Sequence, residues 1–176
     1  MEYSRFYFDS FLQELLIDFH FLAENSNRKL EVIANNINIV VSADRNKLEK
    51  IFNNLLSNAF KYSDAGDKIK VNFSASEKDL SVSVSDTGRG IDNEDLPHVF
   101  ERFFRSKKNQ NMYAIGSGIG LAFSKRLVEM HYGYIDVQSE LGQGTSMNVR
   151  LPIVKKESAL DQETREMDIL SAENDK

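Results

Sequence analysis

The chain has 176 residues, of which 41% are hydrophobic and none is cysteine, so it can build the core of one domain but offers neither a disulfide framework nor a thiolate metal site. Its net charge of −5 argues against a protein that binds the phosphate backbone of nucleic acids, although a local site for a small anion remains compatible with it. It contains no apolar run of about 18 residues and no secretion signal, so we expect a cytoplasmic protein.

The first part of the chain predicts a helix followed by two short strands. Apolar residues at three- and four-residue steps indicate an amphipathic helix over 10–24. Ser10 and Gln13 have the spacing of a capping box, which predicts that Ser10 caps this helix. Short apolar runs at 30–35 and 38–42 predict strands.

A second helix is predicted to open at Asp44 and to end near residue 63. Its apolar face is formed by Leu48, Ile51, Leu55, Leu56 and Ala59. A polar row lies beside this face, because Asn54, Asn58, Lys61 and Tyr62 recur at i, i+4, i+7 and i+8. Asparagine oxygen suits Mg²⁺, which takes few protein ligands together with substrate phosphates, and lysine supplies compensating charge. The alternative is a solvated helix face.

The rest of the chain predicts antiparallel strands around a third helix. Alternation at period two predicts a hairpin of 68–76 with 80–86, in which Val82 and Val84 point to one side. We expect a long, mobile loop over 87–118 and a helix over 118–131. Two closing strands follow over 133–139 and 144–151.

The order of these elements predicts the fold class and the domain limits. Helices and hairpins mix without strict βαβ alternation, which indicates an α+β domain with a mixed sheet of about five strands, covered on one face by three helices. The last 22 residues are rich in charge and poor in apolar residues, which is typical of a solvated tail or linker. We therefore predict a domain over 1–154 and a tail over 155–176.

Two glycine-containing stretches suggest close approach of the backbone to a ligand. Gly116, Gly118 and Gly120 crowd the start of the third helix in "AIGSGIGLAFSK", but the spacing is neither a Walker A pattern nor a Rossmann fingerprint. A turn that packs the helix against the sheet is the alternative. Asp86 ends a predicted strand in "SDTGRGID" and could accept a hydrogen bond from the amino group of a purine, or belong to an ordinary Asp-x-Gly turn.

Taken together, these stretches resemble the ATP-binding catalytic domain of sensor histidine kinases. "NNLLSNAFKYS", "DTGRGI", "VFERFFRS" and "GSGIGLAFSK" are similar to its N, G1, F and G2 boxes, and "SELGQGTSMNVRLP" is similar to its closing strand pair. The resemblance covers about residues 8 to 153. It implies the Bergerat fold of the GHKL superfamily, a two-layer α/β sandwich with a mobile ATP lid that type II topoisomerase, MutL-type and heat-shock chaperone ATPases share.

The resemblance implies a role for each matching residue. Asn54, Asn58 and Lys61 would be catalytic: Asn58 coordinates Mg²⁺, Asn54 supports the metal or the phosphates, and Lys61 contacts the phosphates. Tyr62 would flank the base or ribose, and Asp86 would accept from the adenine amino group. Further nucleotide contacts are implied at Gly88, Gly90, Ile91, Arg105, Gly116, Gly118, Ile119, Gly120, Leu121 and Thr145. The lid would be anchored by Phe100, Phe103 and Phe104, with Lys107 and Lys108 reaching the phosphates or facing solvent.

The residue at position 54 bears on the reaction that the resemblance implies. In the related ATPases, a glutamate one turn before the metal-binding asparagine activates water. Asn54 stands at that position, and an amide cannot act as a general base at neutral pH. This fits transfer of the γ-phosphoryl group to a protein histidine better than hydrolysis, with catalysis by positioning and charge neutralisation.

The three histidines lack the context of a phosphoacceptor. We expect His20 to pack within the first helix, His98 to lie on the surface, and His131 to end the third helix, where it suits the helix dipole. The chain should therefore bind ATP with Mg²⁺ without phosphorylating itself. The implied partners are the dimerisation domain of the same kinase and the receiver domain of a response regulator, with no nucleic acid.

The resemblance also implies an assembly and leaves two other functions open. An isolated domain would be monomeric, the whole kinase a homodimer, and this chain the cytoplasmic portion of a membrane-bound sensor whose tail leads to a receiver domain. One alternative is a degenerate docking domain that binds no nucleotide; the other is a GHKL ATPase or an anti-sigma-type serine kinase.

Tyr132 departs from the family's frequent His-Gly-Gly, which predicts an altered turn. In the lid, we expect Met112 and Tyr113 to pack on the core.

Overall fold

The structure is a computed structural model that describes residues 1–35, 39–76, 78–106 and 117–153. The predicted tail and the lid residues Lys107, Lys108, Met112, Tyr113 and Gly116 lie outside the described residues. Within them, the elements are β1 (Ser4–Tyr7), α1 (Phe8–Asn25), β2 (Lys29–Asn35), β3 (Val40–Ala43), α2 (Arg45–Tyr62), β4 (Lys68–Ala75), β5 (Asp79–Asp86), a 3-10 turn (Leu96–His98), α3 (Gly120–Met130), β6 (Tyr134–Glu140) and β7 (Gly144–Pro152). None of the described helices is long and apolar enough to cross a bilayer.

Five strands form one mixed sheet in the order β2-β4-β5-β7-β6. Strand β2 runs parallel to β4, and the other neighbours are antiparallel. Val82 and Val84 of β5 are buried on the face that meets the helices, as the period-two pattern predicts. The predicted α+β arrangement of three helices on a mixed sheet is confirmed. A separate two-stranded sheet pairs β1 with β3 and was not predicted.

The start of α1 differs from the prediction. The helix begins at Phe8 with Tyr7 at its N-cap, and no side chain caps it, so the predicted capping role of Ser10 is wrong. Phe8 is fully buried and packs its ring against Phe52 and Phe73. Burial of such a ring stabilises by roughly 1.5–3 kcal/mol, more than the ~1 kcal/mol of a capping hydrogen bond, so packing decides where the helix starts.

Two of the three histidines lie where the sequence predicts. His98 is exposed beside Glu101, and His131 follows α3, where its Nδ1 lies 2.8 Å from the carbonyl oxygen of Leu127. The expectation that His20 packs inside is wrong, because the buried face of α1 passes through Phe19 and Ala23 and leaves residue 20 exposed. The turn after α3 forms with Tyr132 in the left-handed region at φ 58°, a conformation that glycine adopts more readily.

Asp44 joins three parts of the fold at the start of α2. Its carboxylate caps the helix by accepting from the backbone N–H of Lys47, and it also accepts from the backbone N–H of Glu2 near the amino terminus. Its own N–H donates to Nε2 of the buried His131. Hydrogen bonds from the Lys47 side chain and from the Glu2 backbone hold the pKa of this carboxyl well below its ordinary value.

We predict that the stabilisation from the Asp44 charge is fully present above the pKa that this carboxyl has in the unfolded chain, about 4, and is lost progressively below it. Because the folded-state pKa is lower, the unfolded state binds more protons as the pH falls below about 4, and the stabilisation is then lost. Asp44→Asn keeps a capping side chain and removes the charge. In urea denaturation, the variant should be less stable than the wild type at pH 7, and the difference should shrink between pH 4 and pH 2. A difference that stays constant over this range would contradict the prediction.

Candidate nucleotide-binding site

The helix-facing side of the sheet changes from apolar to polar at one end of three adjacent strands. Val84 of β5 lies beside Met147 of β7, and both belong to the core. Two residues further along these strands, Asp86 lies opposite Thr145, which in turn lies opposite Ser139 of β6. Because side chains alternate along a strand, these three polar residues share the face of the core residues and form a polar row at its edge.

A pocket of about 380 Å³ lies between this polar row, α2, the loop after β5, the start of α3 and the turn between β6 and β7. Such a volume falls in the range of small-molecule sites. Ten of the predicted nucleotide-contacting residues line it: Asn58, Lys61, Tyr62, Asp86, Gly90, Ile91, Arg105, Gly118, Leu121 and Thr145. Phe104, predicted as a lid anchor, lines it as well. Four others, Asn54, Gly88, Ile119 and Gly120, are described but are not among its lining residues.

Asp86 presents a fixed carboxylate to the pocket. The backbone N–H groups of Gly88 and Thr145 donate to it, the first at 2.9 Å. Burial raises the pKa of the Asp86 carboxyl above its ordinary value and the Asp67 charge adds to the rise, whereas the two backbone donors oppose it. The lone pairs left over are acceptors, so the pocket offers a site for a donor such as an amino group.

Helix α2 and the loop after β5 contribute amide and cationic groups to the pocket lining. Asn58 and Lys61 lie on the pocket side of α2, as the spacing predicts. Lys61 Nζ and Arg89 Cζ lie 5.0 and 5.2 Å from the centroid of the Tyr62 ring, so two cations flank this aromatic residue. Arg105 is a third cation in the lining. The lining also contains Asp92 and Asp95, so the three cations offer an anionic ligand group a local site within a lining of mixed charge.

Asn54 connects two helices instead of lining the pocket. Its Nδ2 donates to Oγ of Ser124, a buried residue of α3, over 2.9 Å. A Cβ atom at Gly120 would lie 2.4 Å from Asn54 Oδ1, so the glycine lets the first turn of α3 approach this amide. The structure thus gives Asn54 a contact that sets α3 against α2, and its metal or phosphate role stays a prediction.

The described glycines of the two glycine-containing stretches, namely Gly88, Gly90, Gly118 and Gly120, lie against the protein's own atoms. A Cβ at Gly88 would meet the carbonyl oxygen of Tyr62 at 2.2 Å. Gly118 adopts φ +69°, and its Cβ would lie 2.8 Å from the backbone of Phe103, whose N–H donates to the Gly118 carbonyl. These contacts join the loop after β5 to α2, and the F-box stretch to the start of α3. The helix-packing alternative therefore accounts for part of the glycine pattern, and contact with phosphates stays a prediction.

Residues 43–155 match the family described as histidine kinase-, DNA gyrase B-, and HSP90-like ATPase. The chain belongs to this ATPase family. It is similar to Histidine kinase P4 of Formosa agariphila, with 36% identity over 146 residues that cover 81% of this chain and 11% of that protein. It is also similar to the sensor protein SrrB of Staphylococcus aureus, with 37% identity over 113 residues that cover 64% of this chain and 19% of that protein.

A solved member with the same fold is the nucleotide-free catalytic domain of the histidine kinase ThkA. It matches with a TM-score of 0.78 and 24% identity, over 88% of this chain and 100% of that one. The match confirms the predicted Bergerat-type fold. The chain spans less than a fifth of the length of the two curated relatives named above.

The residues of this ATPase-type pocket fit Mg²⁺ in the manner that the family implies. Among the described residues, no group of three histidine or acidic side chains could hold a metal ion by itself. The Asn58 side chain offers a half-buried amide oxygen in the pocket lining. Mg²⁺ commonly takes one or two protein ligands and completes its shell with phosphates and water. This donor set therefore fits a metal that arrives with a nucleotide.

Sequence reasoning missed Arg89, Ser124 and Ser139, and it also missed the lining residues Asp92, Asp95, Val99, Ser106, Leu141 and Met147. Arg89 stands between the two glycines of "DTGRGI", and that position was a usable signal for a pocket cation. Ser124 follows the apolar spacing of α3 with Leu127 and Val128, which was a signal that it faces α2. Ser139 gave no local signal, because its partners lie in β7 and in the loop after β5.

Proposed function

We propose that this chain binds Mg-ATP and transfers the γ-phosphoryl group to a histidine on the dimerisation domain of a two-component sensor kinase. The observation that carries the proposal is the composition of the pocket lining, which combines the Asp86 acceptor of β5 with Asn58 and Lys61 of α2 and with Arg105. An adenine amino group matches the acceptor, and a triphosphate with its metal matches the amide and the cations. Histidine kinase relatives over most of the chain support this reading.

The residues would act by binding and orientation. Asp86 would hold the base, and Asn58 would supply an oxygen ligand to Mg²⁺, which neutralises phosphate charge when it is bound. Lys61 would add positive charge where negative charge develops on the transferred group. In the transfer, the bond from the γ-phosphorus to the bridging oxygen breaks to leave ADP, and a bond from phosphorus to an imidazole nitrogen forms.

The contact of Asn54 agrees with transfer to histidine. A neutral imidazole attacks with its own lone pair and needs no base to remove a proton first. Asn54 cannot supply such a base, and its amide nitrogen is engaged with Ser124. Hydrolysis would need a group that activates water, so the ATPase alternative lacks the residue on which it depends.

The partner surface that we propose lies beside the pocket. Phe103, Ile119 and Phe123 are apolar and exposed. Phe103 donates its N–H to the Gly118 carbonyl, Ile119 follows Gly118 in the chain, and the N–H of Phe123 donates to the carbonyl of Ile119. A dimerisation domain would cover them. Full-length ShkA was solved in complex with AMPPNP, and ThkA in complex with the response regulator protein TrrA; both share this fold, with TM-scores of 0.77 and 0.73. We extend such partners, and a place in the cytoplasmic portion of a membrane sensor, to this chain as proposals.

The test is calorimetric titration of the chain with AMPPNP in the presence and absence of Mg²⁺. We expect saturable binding that Mg²⁺ strengthens, and Asn58→Ala should lose most of this strengthening because the metal loses a protein ligand. Asn53→Ala, which removes the neighbouring amide of the same helix outside the pocket lining, should behave as the wild type does. A folded wild type that binds no AMPPNP would favour the docking-domain alternative.

The phosphotransfer part needs a second measurement. With radioactive ATP, the isolated chain should incorporate no phosphate, because none of its three histidines lies in a phosphoacceptor context. Addition of a dimerisation domain that contains the acceptor histidine should restore incorporation there. Steady release of inorganic phosphate without any protein acceptor would support the ATPase alternative instead.

A further inference from the structure

The hydroxyl group of Ser139 makes three hydrogen bonds at the edge of the pocket. Its Oγ accepts from the backbone N–H of Ile91 at 2.8 Å and donates to the carbonyl oxygen of Gly144 at 2.7 Å. It also lies 2.9 Å from Oγ1 of Thr145. Ile91 and Thr145 both line the pocket, so one half-buried serine joins two parts of its wall.

The chemistry of these partners fixes the direction of the third hydrogen bond. A backbone N–H can only donate and a carbonyl oxygen can only accept, so the single hydrogen of Ser139 is directed to Gly144. The short contact with Thr145 is then a hydrogen bond only if Thr145 donates. Thr145 therefore donates its hydroxyl hydrogen to Ser139 Oγ, and its Oγ1 presents only lone pairs to the pocket.

The pocket consequently presents two acceptors side by side. Asp86 and Thr145 are cross-strand partners, and the backbone N–H of Thr145 is used by the Asp86 carboxylate. We infer that Ser139 determines the selectivity of this site for the purine base, because it holds Thr145 as an acceptor next to the Asp86 acceptor. The inference rests on the proposed nucleotide-binding function and names the part of the ligand that is read.

Two acceptors favour a base that carries an amino group at its six-position and disfavour one that carries an oxo group there. An amino group donates to both acceptors directly or through water, whereas an oxo group is itself an acceptor and leaves these lone pairs without a donor. Removal of the Ser139 hydroxyl frees the Thr145 hydrogen to rotate into the pocket. A 6-oxo purine then gains a donor that the wild type withholds, while a 6-amino purine gains nothing.

The test compares the binding of ADP and IDP by calorimetric titration with Mg²⁺ at pH 7.5. ADP carries an amino group at position 6 of the base, whereas IDP carries an oxo group there and a hydrogen on N1. In the wild type we expect ADP to bind more tightly than IDP. Ser139→Ala should reduce the ratio of the two affinities by about 2- to 10-fold, the range that one neutral hydrogen bond supplies. Ser139→Thr keeps the hydroxyl and should retain the wild-type ratio.

The ratio separates this role from a purely structural one. If Ser139 only holds the loop after β5, Ser139→Ala weakens ADP and IDP equally and leaves the ratio unchanged, which would overturn the inference. Thr145→Val removes the hydroxyl that Ser139 orients, so adding Ser139→Ala to it should not change the ratio further; a further change of the same size would also overturn it. A folded wild type that binds neither nucleotide overturns the proposed function together with the inference.

A matched control is available in the same sheet. Ser83 of β5 has a hydroxyl contact of 3.1 Å with Ser146 of β7, and neither residue lines the pocket. Ser83→Ala removes a comparable hydrogen bond between strands and should leave the ratio of ADP to IDP affinity at the wild-type value. An equal drop in this control would mean that any loosening of the sheet changes base selectivity, and the role of Ser139 would be overturned.

Discussion

Asp86→Asn should lower the affinity of the chain for AMPPNP by about 10- to 100-fold, the loss expected when a buried hydrogen bond to a charged group is removed. The backbone N–H groups of Gly88 and Thr145 donate to the Asp86 side chain. In the variant these donors attract the amide oxygen, so the NH₂ group turns towards the pocket. A donor then faces the base where the wild type presents an acceptor.

The stability of this variant distinguishes loss of the site from loss of the fold. Because burial raises the pKa of Asp86 in the folded state, the unfolded chain ionises this group more readily, and the charged carboxylate lowers stability at neutral pH. Asp86→Asn should therefore be at least as stable as the wild type in urea at pH 7. A large loss of stability would contradict this account.

Asp79→Asn provides the matched comparison, because Asp79 is the half-buried aspartate at the opposite end of β5. It should leave the affinity for AMPPNP unchanged. If both variants lose affinity equally, general loss of negative charge and not the position of Asp86 governs binding. Unchanged affinity in Asp86→Asn would remove Asp86 from the site altogether.

Local patterns predicted those parts of the fold that depend on burial of one face. In α2, all five residues of the predicted apolar face are buried, namely Leu48, Ile51, Leu55, Leu56 and Ala59. The same face geometry placed Asn58 and Lys61 beside the core, where they line the pocket. Amphipathic periodicity carries this information because a helix repeats every 3.6 residues, whatever it packs against.

Features that depend on pairing between distant segments were not predicted. Strand β1 is only four residues long and exists because it pairs with β3, more than thirty residues later in the chain. Ser139 reads as one polar residue near a turn, and only the register with Thr145 places it on the inner face. Asn54 belongs to the predicted polar row, yet its contact with Ser124 depends on how α3 crosses α2. Neither register nor crossing is encoded in a local pattern.

The glycine pattern illustrates the same limit at single positions. A dense glycine run indicates that other atoms lie close to the backbone, but the sequence does not distinguish atoms of a ligand from atoms of the protein itself. At Gly90, the neighbour in the structure is the carbonyl oxygen of Glu140, which a Cβ would meet at 2.0 Å. The residue also adopts φ +69°. The loop after β5 is thus held against the end of β6, and this contact fixes the position of Ile91 in the pocket.

Gly90→Ala should destabilise the fold by about 3 kcal/mol or more, because the new Cβ combines left-handed strain with a backbone clash. Gly142→Ala separates the two effects: Gly142 has φ +80° in the neighbouring turn, but a Cβ there meets nothing within 4 Å. Strain alone should cost about 1–2 kcal/mol in this control. Urea denaturation of both variants measures the difference, and equal losses would mean that the chain relieves the clash without cost.

The two variants should also differ in binding, which links the packing of this loop to the site. To relieve the clash, Gly90→Ala must move residues 90–91 away from Glu140, and this motion breaks the hydrogen bond from Ile91 to Ser139. Affinity for ADP should then fall under conditions where the variant is still folded, whereas Gly142→Ala should bind as the wild type does. A folded Gly90→Ala with wild-type affinity would show that the position of this loop does not control the base end of the pocket.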